Sequence, residues 1–82
     1  MIVNVKFSCP DIVGHLREGD YEVADGATVR EAMDSFFRAD GREMTDGVIK
    51  NVVFVINYMS AQWETVMNEG DKLRVLYRFL GG

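Results

Sequence analysis

The last two residues of the sequence are its first candidates for chemistry. Gly81 and Gly82 follow directly after a strand-like segment, so the chain is expected to end in a backbone without side chains. Glycine lacks a Cβ and accepts conformations closed to other residues, so a terminal glycine carboxylate can pass through a narrow channel. Fully extended, residues 79–82 would reach roughly 13 Å beyond the fold, far enough to enter another protein's active site. A frayed or engineered end is the alternative, because a diglycine also occurs by chance.

The side chains offer no arrangement typical of an active site. His15 is the only histidine and has no carboxylate or nucleophile at a useful spacing, so a surface position is expected. Cys9 is the only cysteine; we expect a structural role for it, with a redox or acyl-relay role as the alternative. Glycine-rich phosphate loops, zinc-ligand spacings and nucleophile elbows are absent from the sequence. The sequence therefore predicts no catalytic residue, no metal site and no bound cofactor, in a protein that another enzyme acts upon.

The scaffold for the diglycine begins with two predicted strands. Residues 3–7 alternate apolar and polar, as in a strand with one buried face. A second alternating run passes through Tyr21 and Val23. We expect the two runs to pair as a hairpin, with a helical turn near residues 11–14 in the connection.

One amphipathic helix is predicted after the hairpin. Thr28 and Glu31 have the spacing of a capping box, which satisfies free amide groups at a helix start. Gly41 is expected to end the helix. Its apolar positions form one wide stripe that predicts burial against a sheet: Val29, Ala32, Met33, Phe36 and Phe37.

The second half of the chain predicts two further strands and a short extra element. The β-branched residues 52–56 are typical of a central strand buried on both faces. Residues 57–67 are interpreted as a short strand or irregular crossing anchored by Trp63 and Val66, and a turn follows at 69–71. The polar segment 42–51 is expected to be turn-like. Residues 72–80 alternate as a long last strand.

These elements predict an α+β fold with one main helix packed across a mixed sheet of four to five strands. We expect a single domain over residues 1–80 and a flexible tail at 81–82. The chain has 82 residues, with 48% hydrophobic and 27% charged side chains, as in a folded globular protein.

Charge and hydropathy exclude several classes of partner. The formal net charge of -4 repels phosphate backbones, so nucleic acid is not an expected partner. The first residues lack the basic head and apolar run of a signal peptide. The longest apolar stretch, residues 52–56, is far shorter than the ~20 residues that cross a bilayer. We therefore expect a cytoplasmic protein that is not inserted in a membrane.

Three segments together resemble the ThiS and MoaD family of sulfur carriers. Gly70-Asp71, followed after nine residues by Gly81-Gly82, is similar to the family's C-terminal signature. Residues 55–57, Val-Ile-Asn, resemble its strand ending in Asn, and residues 25–29 resemble its turn into the single helix. The length of the chain and the spacing between its Asn and Asp are closer to MoaD, the small subunit of molybdopterin synthase. Tyr77-Arg78 departs from the pattern, because MoaD commonly has two prolines there.

This resemblance implies a ubiquitin-like β-grasp fold and a carrier function. The Gly82 carboxylate would be adenylated by a ubiquitin-activating-type enzyme similar to MoeB or ThiF, which uses ATP, and then converted to a thiocarboxylate. Gly81 would belong to the tail that enters the enzyme. The sulfur would pass to a synthase such as the large subunit of molybdopterin synthase, or to a related pathway such as thiamine biosynthesis. Two alternatives remain: a protein modifier conjugated through Gly82, and an interaction module whose glycines are incidental.

The last predicted strand also suggests where a partner docks. Arg74, Leu76, Arg78 and Leu80 alternate with the expected core positions, so they share the opposite face. Together with Phe79, they are the predicted partner-binding residues. The alternative for Leu76 is packing against a neighbouring loop of the same chain.

Overall fold

Five strands and three helices make up residues 1–78, the part of the chain that this computed structural model describes. The strands are β1 (Ile2–Phe7), β2 (Gly19–Glu22), β3 (Val52–Ile56), β4 (Met59–Ala61) and β5 (Lys72–Tyr77). The helices are α1 (Pro10–Val13), α2 (Val29–Ala39) and α3 (Asp46–Asn51).

The strands form one mixed sheet in the order β2-β1-β5-β3-β4. β1 and β2 pair antiparallel, which confirms the predicted hairpin. β5 lies in the centre, parallel to β1 and antiparallel to β3. The last strand of the chain is therefore held on both sides by strands distant from it in sequence.

Helix α2 covers one face of the sheet and begins where the sequence predicts. The Thr28 Oγ1 atom accepts a hydrogen bond from the Glu31 N–H at 3.2 Å, and Glu31 Oε1 accepts one from the Thr28 N–H at 2.9 Å. A cap of this kind stabilises a helix by about 1 kcal/mol. All five residues of the predicted stripe are buried. They pack with strand residues of the inner face, among them Val3, Val5, Phe54, Leu73 and Val75.

The segment predicted to be turn-like contains helix α3, so that prediction was wrong. Thr45 Oγ1 accepts a hydrogen bond from the Val48 N–H at 3.3 Å, which caps the first turn. Val48 is only 2% exposed and joins the core. A helix of six residues shows too little apolar periodicity to stand out in a polar segment. Its cap and one buried side chain are sufficient to define it in the folded protein.

Strand β3 is correctly predicted in position, but it is buried on one face only. Val52 and Phe54 are buried, whereas Val53 is 36% exposed because no helix covers that side of the sheet.

In the segment 57–67, the prediction of Val66 as an apolar anchor was wrong. Val66 is 54% exposed, and its neighbour Met67, at 1%, fills the core in its place.

The last strand ends at Tyr77, and the predicted strand residues 79 and 80 lie outside the described part of the chain. The boundary between the domain and the tail, placed by the sequence after residue 80, lies there too. Among residues 1–78, the helices are all too short to span a bilayer.

Candidate functional site

The central strand β5 fixes the point from which the predicted tail departs. Immediately after the strand, the Arg78 N–H donates a hydrogen bond to the Asn51 carbonyl oxygen at 2.7 Å. The chain is thus tied to the end of α3 at residue 78. Phe79, Leu80, Gly81 and Gly82, which the sequence assigns to partner binding and to the chemistry, lie outside the described residues.

The uncovered face of the sheet carries the other predicted docking residues. Arg74 and Leu76 point away from the buried Leu73 and Val75, as the alternation predicts. Leu76 is half-buried, and the register places Val53 of β3 directly opposite it. Directly paired residues project from the same face, so Val53 of the neighbouring strand lies beside Leu76.

Basic side chains surround this small apolar area. Lys6, Lys72, Arg74 and Arg78 are all exposed on or beside it, although the whole chain carries a net charge of -4. The ion pairs found within residues 1–78 involve none of these four side chains. The part of the uncovered face over β1 and β5 is therefore locally positive, whereas Asp20 and Glu22 of β2 make its outer edge acidic.

Asn57 and Asp71, two residues of the family-like signature, form a hydrogen-bond network at the start of β5. Asn57 Nδ2 donates to Asp71 Oδ1 at 2.9 Å, and the Lys72 N–H donates to Asn57 Oδ1 at 3.0 Å. The Asn68 N–H donates to Asp71 Oδ2 at 2.8 Å. The network joins the β3–β4 turn to the turn before β5. These two residues therefore position the start of the central strand.

Cys9 has the environment of a structural residue. It is buried, and its thiol donates a weak hydrogen bond to the Val75 carbonyl oxygen at 3.7 Å. Burial raises the pKa of the Cys9 thiol, which disfavours the reactive thiolate. His15 is exposed in a loop with φ of 62°. Within residues 1–78, histidine, cysteine and carboxylate side chains form no group of three that could hold a metal ion.

Sequence reasoning missed three residues that extend the uncovered face. Lys6 lies beside Arg74 through the parallel pairing of β1 with β5. Lys72 projects from the same face, and Tyr58 stands at its edge in the β3–β4 turn. The alternation of each strand indicated its exposed positions. It could not indicate which strands become neighbours.

Solved structures with the same architecture are known. The crystal structure of SAMP1 from Haloferax volcanii aligns with a TM-score of 0.69 at 21% identity, and covers 100% of both chains. Another structure of H. volcanii small archaeal modifier protein 1 gives a TM-score of 0.65 at 21% identity, over 92% of this chain and 94% of that one.

A third similar structure is a Pyrococcus furiosus protein assigned as molybdopterin converting factor, subunit 1. It aligns with a TM-score of 0.64 at 18% identity, over 96% of this chain and 99% of that one. No family model matches the sequence, and no curated protein matches it. The structural matches confirm the predicted ubiquitin-like β-grasp fold.

Proposed function

We propose that this protein is a sulfur carrier of the ThiS and MoaD type that works through the carboxylate of Gly82. The observation that carries the proposal is the position of β5. It is the central strand of a β-grasp sheet, it is fixed at its end by the Arg78–Asn51 hydrogen bond, and the sequence continues from it directly to Gly81-Gly82. A rigid domain with a side-chain-free end is suited to delivering a carboxylate into another protein.

The proposed chemistry takes place in the active site of a ubiquitin-activating-type enzyme similar to MoeB or ThiF. A Gly82 carboxylate oxygen attacks the α-phosphorus of ATP, and pyrophosphate leaves. A sulfide-equivalent nucleophile then attacks the acyl carbon and AMP leaves, which gives a thiocarboxylate. The carrier contributes the reacting carboxylate but no catalytic side chain and no bound cofactor, so we regard it as a non-enzymatic partner of an ATP-using enzyme.

The uncovered face of the sheet is the proposed docking surface for this enzyme. Arg74 and Arg78 would meet carboxylates, and Leu76 would enter an apolar contact continued by Phe79 and Leu80. Burying one such large apolar side chain contributes about 2 kcal/mol. The recipient of the sulfur would be a synthase, for which the large subunit of molybdopterin synthase is the leading candidate. We expect both encounters to occur in the cytoplasm.

A protein modifier is the second candidate function. It shares the adenylation step, but a lysine of a target protein attacks the activated Gly82 in place of the sulfur donor. The specific support is the similarity in fold to a protein named small archaeal modifier protein 1. The two functions differ in their products, so they can be separated by one experiment.

The experiment is intact-mass spectrometry of the protein after incubation with the activating enzyme of the same genome, ATP and sulfide. A carrier gains the mass expected for exchange of one oxygen by sulfur at Gly82, and the chain without Gly81-Gly82 gains nothing. When a lysate of the native cells is added to the same incubation, a ladder of isopeptide-linked products with cell proteins supports the modifier. Full activity of the truncated chain in the native cell would identify an interaction module and contradict both.

A further inference from the structure

A groove of about 430 Å³ lies on the uncovered face of the sheet, beside the first half of β5. Lys6 of β1 and Lys72 and Arg74 of β5 line it, and Tyr58 stands at its edge. Arg78, just beyond the other end of β5, is four residues from Arg74 and six from Lys72, which is about 13 to 20 Å along a strand. The groove is therefore separate from Arg78, where the described part of the chain ends.

Like charges adjoin each other in this groove. The parallel register places Lys6 directly beside Arg74, an arrangement that destabilises a sheet. None of the three cations has a carboxylate within 4 Å in the described part of the chain. Asp20 also lines the groove, but its Oδ1 atom accepts a hydrogen bond from Asn4 Nδ2 at 3.0 Å. Asp20 keeps its negative charge at the β2 side of the groove, but within residues 1–78 it forms no ion pair with Lys6, Lys72 or Arg74.

Tyr58 occupies a position that the fold would fill better with glycine. Asn57 and Tyr58 form the two-residue turn between β3 and β4, with φ of 49° and 71°. Turns with positive φ at both residues favour Asn-Gly, because a Cβ at the second position is strained. Tyr58 is nevertheless present, and it is 86% exposed. An exposed ring offers the folded domain little packing in return for this strain.

We infer that this groove docks an extended acidic segment of the activating enzyme, with carboxylates against Lys6, Lys72 and Arg74 and an apolar side chain against Tyr58. The inference rests on the proposed function. Charge-assisted hydrogen bonds to carboxylates remove the repulsion between Lys6 and Arg74, and an aromatic at the rim is a common anchor in interfaces. The contact holds the domain while the tail enters the active site.

Cations beside an exposed aromatic ring are also found where proteins bind single-stranded nucleic acid. The groove contains three cations, but the whole chain has a net charge of -4. A long phosphate backbone would extend beyond the groove and be repelled by the rest of the chain. A short acidic peptide segment meets only the local positive field. The observations therefore favour a protein partner.

The test uses two variants of the full chain that should strengthen the fold while weakening docking. Lys6→Glu places a carboxylate beside Arg74, and Tyr58→Gly removes the strained side chain. Both should raise the unfolding temperature. In ATP–pyrophosphate exchange catalysed by the purified activating enzyme, each should raise KM for the carrier about tenfold and leave kcat unchanged. The matched control, Lys50→Glu on helix α3, makes the same charge change away from the groove and should leave KM unchanged.

The outcomes separate this inference from the proposed function. If both variants show ATP–pyrophosphate exchange with an unchanged KM, the groove is not a docking site, and the proposed carrier function is unaffected. If the wild-type chain supports no ATP–pyrophosphate exchange, the carrier function is overturned. If the enzyme nevertheless binds the chain and Lys6→Glu weakens that binding, the groove is supported as a docking site. Binding of a single-stranded oligonucleotide that Lys6→Glu abolishes, with unchanged affinity for the enzyme, also overturns the inference.

Discussion

The two faces of the sheet follow different rules. On the inner face, the large apolar side chains of β1, β3 and β5 are buried in one core with the apolar stripe of helix α2. On the uncovered face, Lys6 adjoins Arg74, and Val53 and Leu76 are left partly open to solvent. Folding alone does not explain those choices. The comparison teaches that burial accounts for the residue types of the inner face, whereas those of the uncovered face are what the proposed docking would require.

The largest effect is expected from the inner face. Phe36 is fully buried between the helix and the sheet, and its ring contacts those of Phe7 and Tyr21. Phe36→Ala should lower the free energy of unfolding by about 3–5 kcal/mol, because it leaves a cavity in a small core. Urea denaturation measures this change. Val53→Ala on the uncovered face should cost less than about 1 kcal/mol, and equal losses would remove the contrast between the faces.

An intermediate effect is expected at the network that starts β5. Asp71→Ala leaves the Asn57 amide and the Asn68 N–H without their acceptor. Loss of such buried hydrogen bonds should cost about 1–3 kcal/mol in the same denaturation experiment. Glu22→Ala, an exposed acidic position on β2, serves as the control and should stay within about 0.5 kcal/mol of wild type. A similar small change for Asp71→Ala would show that the network does not position the strand.

The uncovered face should respond in binding more than in stability. Leu76→Ala is expected to weaken binding to the activating enzyme about tenfold, since a centrally placed apolar contact is lost. Calorimetric titration of the variant against the enzyme measures the affinity. Phe79→Ala tests the predicted continuation of this surface. Unchanged affinity in both variants would count against the docking surface.

The smallest effect is expected from Cys9, and only in alkaline solution. Burial raises the pKa of its thiol above the ordinary value of 9.0, so the unfolded chain loses this proton at lower pH than the folded chain. The contribution of the buried, protonated thiol to the free energy of unfolding is therefore complete below pH 9. It is lost as the pH rises through the higher pKa of the folded state. The difference in stability between wild type and Cys9→Ala, followed from pH 7 to 10.5, should shrink above pH 9. A constant difference would contradict the burial of the thiol.

The sequence contained enough local information to predict helix α2 and the strands. The capping box of Thr28 and Glu31 and the apolar stripe act within one or two turns, so they are readable without knowledge of the fold. Helix α3 was missed because its single turn and a half is defined by tertiary burial of Val48. Val66 was predicted to be buried in place of Met67, because adjacent residues point to opposite faces and the sequence did not indicate which of the two points inward.

The candidate site was predictable only in part. The alternation in β5 identified Arg74 and Leu76 as outward residues of one strand. Lys6 joins them through pairing between residues 68 positions apart in sequence, which no local pattern encodes. Tyr58 becomes notable only when its backbone conformation is known, because an isolated tyrosine after an asparagine carries no signal.

The central place of β5 also governs when the domain can form during synthesis. Every other strand is translated before it, yet the two halves of the sheet, β2-β1 and β3-β4, are joined only through this strand. A nascent chain must therefore wait until β5 has cleared the ribosome before its sheet can close. Any product terminated earlier would lack the strand that unites the two halves of the sheet, and we expect cellular proteases to remove it.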